Sequence, residues 1–352
     1  MPAPRLDIDL DKIHHNAHSL VQSLATRAIS ITGVTKASLG CPQIANAWLQ
    51  AGVQGLADSR IENIEMMQLS QVMAPMTLIR SPMLSQIAQV VQQADISFNT
   101  ELEVIRQLSA TAHKAKRIHG VVLMVELGDL REGIMPEDLI ATVRETLSLP
   151  NIQFKGIGTN LACRCGVTPD ANNMAELSRL ADEIEANFGP IVSIVSGGNS
   201  ANLAWALSGA ETGRVNNLRL GEALLLGCDP LNRQPIEGLY TDAFTLVAEV
   251  IESKLKPSQP WGNLGQNAFG DSPDITDRGT IAQSVLAIGQ QDIDPNGLQM
   301  PEGIKLLGAS SDHLVVESTS CLPIGSELSF QLNYSALLRA MTSPFVTKVM
   351  TT

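Results

Sequence analysis

The chain has 352 residues, 44% of them apolar and 17% charged, with a formal net charge of −12; that is long enough for two domains, or for one large barrel with an appendage. Such a charge repels phosphate backbones, and an aromatic content of 3% supplies few stacking platforms, so nucleic acid is not expected as a partner. No uncharged apolar stretch of roughly 18 residues occurs, so no membrane span is expected.

The opening segment, MPAPRLDIDLD, lacks a basic region followed by an apolar core and reads as having no signal peptide. Within it RLDIDL is a strand candidate that could join a C-terminal domain. From residue 29 to 229, β-rich runs alternate with helical patterns. The runs are ISITGVT (29–35), GVQGLAD (52–58), MTLIR (76–80), ADISFN (94–99), GVVLMVEL (120–127), FKGIGTN (154–160), IVSIVSGG (191–198) and VNNLRLG (215–221). Eight strands alternating with helices argue for parallel strands joined by right-handed crossovers, and eight is the number that closes a TIM barrel. Periodicity alone does not show closure, so an open doubly wound sheet is the alternative. After PLNRQPIEG (230–238) helical patterns stop. The runs AFTLVAEVI (243–251), TIAQSVLAIG (280–289), GIKLLGA (303–309), HLVVE (313–317) and ELSFQL (327–332), with Gly-, Pro-, Asn- and Asp-rich loops between them, predict an all-β domain. The expected division is a barrel over 1–232 and a β-domain over 233–352.

In a barrel of this kind chemistry sits at the C-terminal strand ends. Those positions carry Lys36, Asp58 with Arg60, Arg80, Asn99, Glu126 with Arg131, Asn160, the stretch Ser196-Gly197-Gly198-Asn199-Ser200, and Arg219. Singly, each reads as readily as a strand-end residue reaching solvent. Together they place polar groups at all eight strand ends. Lys36 ends an apolar run, where an unpaired ammonium is costly; a desolvated lysine can act as a nucleophile and bond a carbonyl cofactor. SGGNS opens a helical run after the seventh strand, where glycines and amides suit an anion, although an ordinary helix cap reads the same way. Arg219 serves equally as a buried ion-pair partner. The five cysteines suit free thiols in a reducing cytoplasm. Cys163 and Cys165 form a CxC pair, but no second pair or nearby histidine completes a zinc site, and no metal is expected.

Lysine, glycine-serine loop and arginine in this order bring out a resemblance. LDIDLDKIHHN (6–16), GVTK (33–36), LADSRIEN (56–63), SFNTELEVI (97–105), VELGDLREGI (125–134), GIGTNLAC (156–163), SGGNSANL (196–203), LRLGEALLLG (218–227), AIGQQDIDPNGL (287–298), GASSDHLVVE (308–317) and LNYSALLRAMTSPFV (332–346) are similar to the alanine racemase-like fold type III pyridoxal-phosphate enzymes, nearest the ornithine racemase branch. The resemblance implies a barrel plus β-domain in a head-to-tail homodimer. It implies that Lys36 carries pyridoxal 5'-phosphate as a Schiff base and then works as a base at Cα. Asn160, Ser196, Gly197, Gly198, Asn199, Ser200, Gly221 and Glu222 would line the cofactor, and Arg219 would face its ring nitrogen. Arg131 would lie near its phenolic oxygen and the substrate carboxylate, with Ser311 and Asp312 reaching the substrate in trans. The implied activity is racemisation of a free amino acid, ornithine favoured. A non-catalytic cofactor carrier and a metal-assisted D-amino-acid aldolase or dehydratase are the rivals.

Three positions depart from the family pattern. Gly40 stands where a phosphate-contacting tyrosine is expected, and Thr159-Asn160 where a Thr-His pair is. Gln290, in GQQD, replaces the tyrosine that serves as second base. Asp292, His313 and Tyr334 are left as candidates for the opposite face, and Asp58, Glu126 and Asp292 as candidate carboxylates for a cationic substrate side chain.

Overall fold

In the computed structural model, which describes residues 2–270, 272 and 276–352, strand β1 (Arg5–Asp9) is the first element. Eight strands follow in the pattern read from the sequence: β2 (Ser30–Val34), β3 (Gly55–Asp58), β4 (Met76–Leu78), β5 (Ile96–Asn99), β6 (His119–Met124), β7 (Ile152–Gly158), β8 (Ile194–Ser196) and β9 (Asn217–Leu220). They are parallel and close in chain order, with β9 returning to β2. The architecture is therefore the (β/α)8 barrel and not the open sheet. The pairing of β9 with β2 shows the closure; the apolar texture of the strands shows only that both faces are covered, as in β3, β4 and β6, which are buried along their whole length.

The chain divides into two units, residues 11–241 and residues 1–10 with 242–352. The junction falls later than the 232/233 division read from the sequence, because residues 228–241 stay with the barrel: Asn16 Oδ1 accepts from the Tyr240 amide at 2.7 Å, and Asn16 Nδ2 donates to the Tyr240 carbonyl at 2.8 Å.

The second unit contains β10 (Phe244–Pro257), β11 (Thr280–Leu286), β12 (Leu298–Gln299), β13 (Lys305–Ala309), β14 (Leu314–Ser318), β15 (Glu327–Leu332) and β16 (Thr347–Thr351). Its strand order is β12-β15-β10-β11-β14-β13, mostly antiparallel. β1 pairs antiparallel with β10 and parallel with β16. The domain is all-β in its sheet, as expected, and carries one helix that the sequence reading did not mark: Tyr334–Thr342, capped by Asn333, whose side chain accepts from the Ala336 amide. Its apolar positions Ala336, Leu337, Ala340 and Met341 recur at helical spacing and are buried.

An unusual histidine is buried on the outer face of the barrel wall, opposite the interior residues Phe98, Val122 and Met124. His119, at the start of β6, is 1% exposed. Its Nε2 lies 2.7 Å from Ser97 Oγ, and its Nδ1 is buried without a partner. Burial pushes it down to about 4. The unfolded chain, with an ordinary histidine near 6.5, therefore binds a proton that the native state refuses between those values. This contribution is fully present above pH 6.5, is lost as pH falls toward 4, and amounts to roughly 3 kcal/mol. A His119→Gln variant should lose correspondingly less stability than the wild type between pH 7 and 4 in urea unfolding; parallel stability curves would contradict this.

Candidate active site at the barrel mouth

Lys36 lies in a 3-10 turn, Thr35–Ser38, immediately after β2, and is half-buried. Among the described residues its ammonium has no hydrogen-bond or ion-pair partner. The turn itself is fixed. Thr35 Oγ1 donates to Asp58 Oδ2 at 2.7 Å, and the other oxygen of Asp58 accepts from the Arg60 amide at 2.8 Å and Asn63 Nδ2 at 3.0 Å. Burial raises the Asp58 carboxyl, with these three donors working against that shift. Asp58→Ala strands the Arg60 amide and Asn63 Nδ2 and leaves Thr35 Oγ1 only the Ala57 carbonyl at 3.2 Å; it should cost roughly 2 kcal/mol of stability, read as a fall in the chemical-denaturation midpoint, and an unchanged midpoint would show that the turn holds without it. The turn exits through Gly40, at φ +66°, where a Cβ would stand 2.8 Å from the Asn63 carbonyl oxygen. This departure from the family pattern thus has a physical basis: the backbone passes too close for a tyrosine.

The loops after β8 and β9 meet. Asn199 caps the turn Ser200–Asn202, accepting from the Ala201 amide at 2.8 Å. Its amide nitrogen donates to Asn160 Oδ1, the Leu161 carbonyl and Cys163 Sγ. Ser200 is 3% exposed and accepts from the Ala223 amide at 3.2 Å, which brings it beside Gly221 and Glu222. Glu222 pairs with Arg233 and lies within electrostatic reach of Lys36, while burial raises its carboxyl. Gly198, at φ +144°, leaves no room for a side chain against Asn202 Oδ1.

Arg219 projects from β9 into the barrel and is 5% exposed. Nη1 donates to Ser196 Oγ at 2.7 Å and Nη2 to the Thr159 carbonyl at 2.7 Å, with Asn160 Oδ1 at 3.5 Å. The Phe98 ring lies 5.0 Å from the guanidinium carbon. No carboxylate pairs with it among the described residues. Burial pulls it down to about 10, which still leaves a cation at neutral pH. Beside it Asn160 Nδ2 is buried with no acceptor among the described residues. Arg131 is bound by its neighbour Glu132, and both are close enough for their charges to act on Arg219. The segment that carries Arg131 is held by Asp129. Its carboxylate is only 1% exposed and accepts from the amides of Cys163, Arg164, Cys165 and Val167. Burial would raise that carboxyl, but the four donors outweigh it and hold it low.

Lys36, Asn160, Ser196 to Ser200, Arg219, Gly221 and Glu222 therefore share one end of the barrel, and Arg131 belongs to the loop above it. The remaining candidates lie in the β-rich unit. Asp292 is 4% exposed and accepts from Ser343 Oγ at 2.6 Å. That burial removes it both as an accessible base and as a carboxylate for a cationic substrate, and Asp58 is removed by its three donors. Glu126 accepts the Gly128 and Leu130 amides through Oε1 alone, leaving Oε2 uncommitted. Ser311, Asp312 and His313 occupy a turn in which the Ser310 amide donates to the His313 carbonyl. Asp312 Oδ1 accepts from His313 Nδ1 at 2.8 Å and from Ser311 Oγ at 3.2 Å, and the first of these contacts is the main cause that lowers the Asp312 carboxyl. In a strand these neighbours would point apart; in this turn they touch. Sequence reasoning missed Asp129, Thr35 and Asn217. A polar residue two positions before Arg219 on the same strand faces the same interior, so the period-2 spacing could have revealed Asn217.

The family profile for the alanine racemase N-terminal domain matches residues 8–229. The chain is 37% identical to ornithine racemase of Acetoanaerobium sticklandii, over 98% of this chain and 99% of that one, and 38% identical to lysine racemase of Thermotoga maritima, over 99% of each. Its fold matches that of an alanine racemase from Clostridium difficile 630, with a TM-score of 0.78 and 18% identity over 100% of this chain and 96% of that one. It also matches that of a D-threonine aldolase from Filomicrobium marinum, with a TM-score of 0.75 and 15% identity over 97% and 88%.

Proposed function

Given that the chain belongs to the alanine racemase family, we propose that it interconverts the L- and D-forms of a free basic amino acid, ornithine favoured, as a pyridoxal-phosphate-dependent isomerase. The observation that carries this reading is the unpaired amine of Lys36 at the same barrel end as the Ser200–Gly221 contact and a buried cation. The residues present fit the cofactor. Arg219 is a buried guanidinium with only neutral acceptors, a state that calls for an electron-rich neighbour. Asn160 offers a buried donor with nothing among the described residues to receive it. Ser200, Gly221 and Glu222 would hold the phosphate, and Lys36 Nζ would bond the aldehyde carbon.

When bound, that group supplies the electron sink that makes a Cα–H bond acidic. The rest is work for side chains. Lys36 Nζ, as a free amine, would take or return the proton on one face of Cα. Arg219, which donates but does not deprotonate, keeps the ring nitrogen an acceptor. Arg131 receives the substrate carboxylate. The opposite face needs a second base, and Gln290 is not one. We assign it to His313 of a second copy in a homodimer: Asp312 holds its Nδ1 hydrogen and leaves Nε2 to exchange protons. A His313→Asn variant should lose racemisation by about 10²–10⁴ while one enantiomer still exchanges its Cα hydrogen without inversion; equal exchange of both enantiomers would assign the base elsewhere. The test of the function itself is incubation of the cofactor-loaded protein with L-ornithine in deuterated water. Cα-deuterated D-ornithine is expected. Keto acid or aldehyde alone, or no exchange with ornithine, lysine or alanine, would overturn the reading.

A further inference from the structure

Barrel interiors of this type are usually filled by layers of bulky branched side chains. Here the floor beneath Arg219 holds a half-open cavity of about 300 Å³, bordered by Ser30, Thr32, Thr77, Phe98, Asn217 and Arg219. Its polar groups form a chain whose direction is determined. Ser30 Oγ donates its hydrogen to the Asn216 carbonyl at 2.8 Å, so its oxygen is left to accept. Asn217 Nδ2 donates to that oxygen at 3.1 Å and to Thr32 Oγ1 at 3.0 Å. With the amide nitrogen fixed toward the floor, Asn217 Oδ1 faces upward and accepts from Ser196 Oγ at 2.8 Å. Ser196 has then spent its hydrogen, and it meets Arg219 Nη1 at 2.7 Å as an acceptor only. A flipped Asn217 would donate to Ser196 and leave the serine hydrogen without the acceptor that now fixes it. The chain therefore works in one orientation, set by Asn217.

We propose that Asn217 is a positioning residue for Arg219: by taking the Ser196 hydrogen it fixes the rotation of that hydroxyl with a lone pair toward Nη1, and so holds the guanidinium in register to donate to the cofactor ring nitrogen. This rests on the function proposed above. Asn217 touches neither substrate nor cofactor; it acts through Ser196 and Arg219. Removing it leaves Ser196 free to rotate and Arg219 with one less fixed acceptor.

The test is the nitrogen-15 resonance of ring-labelled pyridoxal phosphate bound to the wild type and to Asn217→Leu, Ser196→Ala, Asn217→Asp and Gln54→Ala. In Asn217→Leu and Ser196→Ala the resonance should move away from the wild-type position, with kcat down roughly tenfold and KM unchanged. Asn217→Asp, which keeps an acceptor for Ser196, should restore the wild-type resonance. Gln54→Ala, which borders the same cavity outside the chain, should leave it in place. Ser196→Ala reports the same link should Asn217→Leu fail to fold. A wild-type resonance in both Asn217→Leu and Ser196→Ala, or an Asn217→Asp protein displaced as far as Asn217→Leu, would overturn the inference while leaving the racemase reading intact. A wild-type chain that takes up no cofactor would overturn both.

Discussion

Replacing Lys36 with alanine should abolish racemisation, with a loss on the order of 10⁴ or more, and should end covalent retention of the cofactor. The expectation is large because the proposed mechanism gives the residue two roles that no neighbour can take over: the amine that would bond the cofactor and the base on one face of Cα. It is also clean. Lys36 has no hydrogen-bond or ion-pair partner among the described residues, and its turn is held by Thr35, Ser38 and Asp58 instead. The variant should therefore fold with a thermal midpoint near that of the wild type, so that lost activity cannot be put down to lost structure. Chiral chromatography of L-ornithine reactions, with thermal unfolding alongside, checks both. A folded Lys36→Ala protein that still produces D-ornithine would remove Lys36 from the mechanism.

Arg219→Glu carries the second large effect. In the proposed mechanism a guanidinium with neutral acceptors could only donate to the ring nitrogen, so that nitrogen would stay unprotonated and the electron sink weak. A carboxyl group there could hand the nitrogen a proton. Loss of a preorganised donor should lower racemisation by about 10²–10³, and the share of keto acid formed per D-amino acid should rise. Part of the cost is structural, because the new side chain would face Ser196 Oγ and the Thr159 carbonyl, which now accept from Arg219. Arg219→Lys separates the two, since it keeps the charge without the fork. An unchanged ratio of keto acid to D-enantiomer in Arg219→Glu would contradict the electronic role.

Much of the fold was legible because burial leaves a mark on composition. The eight barrel strands fall within or beside runs such as GVVLMVEL and VNNLRLG, and two-sided burial explains their apolar texture. The helix Tyr334–Thr342 was missed because it is short and follows strands of similar apolarity. At the mouth, Lys36, Ser200 and Arg219 could be singled out, since each breaks an apolar or glycine-rich context with a group that needs a partner. What could not be read was which partners they find. Asp58 was one candidate carboxylate for a cationic side chain and is spent on Thr35, Arg60 and Asn63. Asp292 looked like a base and is buried on Ser343. Asp312 and His313, at the start of the run HLVVE, meet in a turn. Each of these depends on contacts between residues distant in the chain or on local turn geometry, and periodicity carries neither.

The most direct test of the account is reductive trapping. Borohydride treatment of purified, cofactor-loaded protein followed by peptide mass spectrometry should place a reduced pyridoxyl group on Lys36. Label on another lysine, or none, would contradict it.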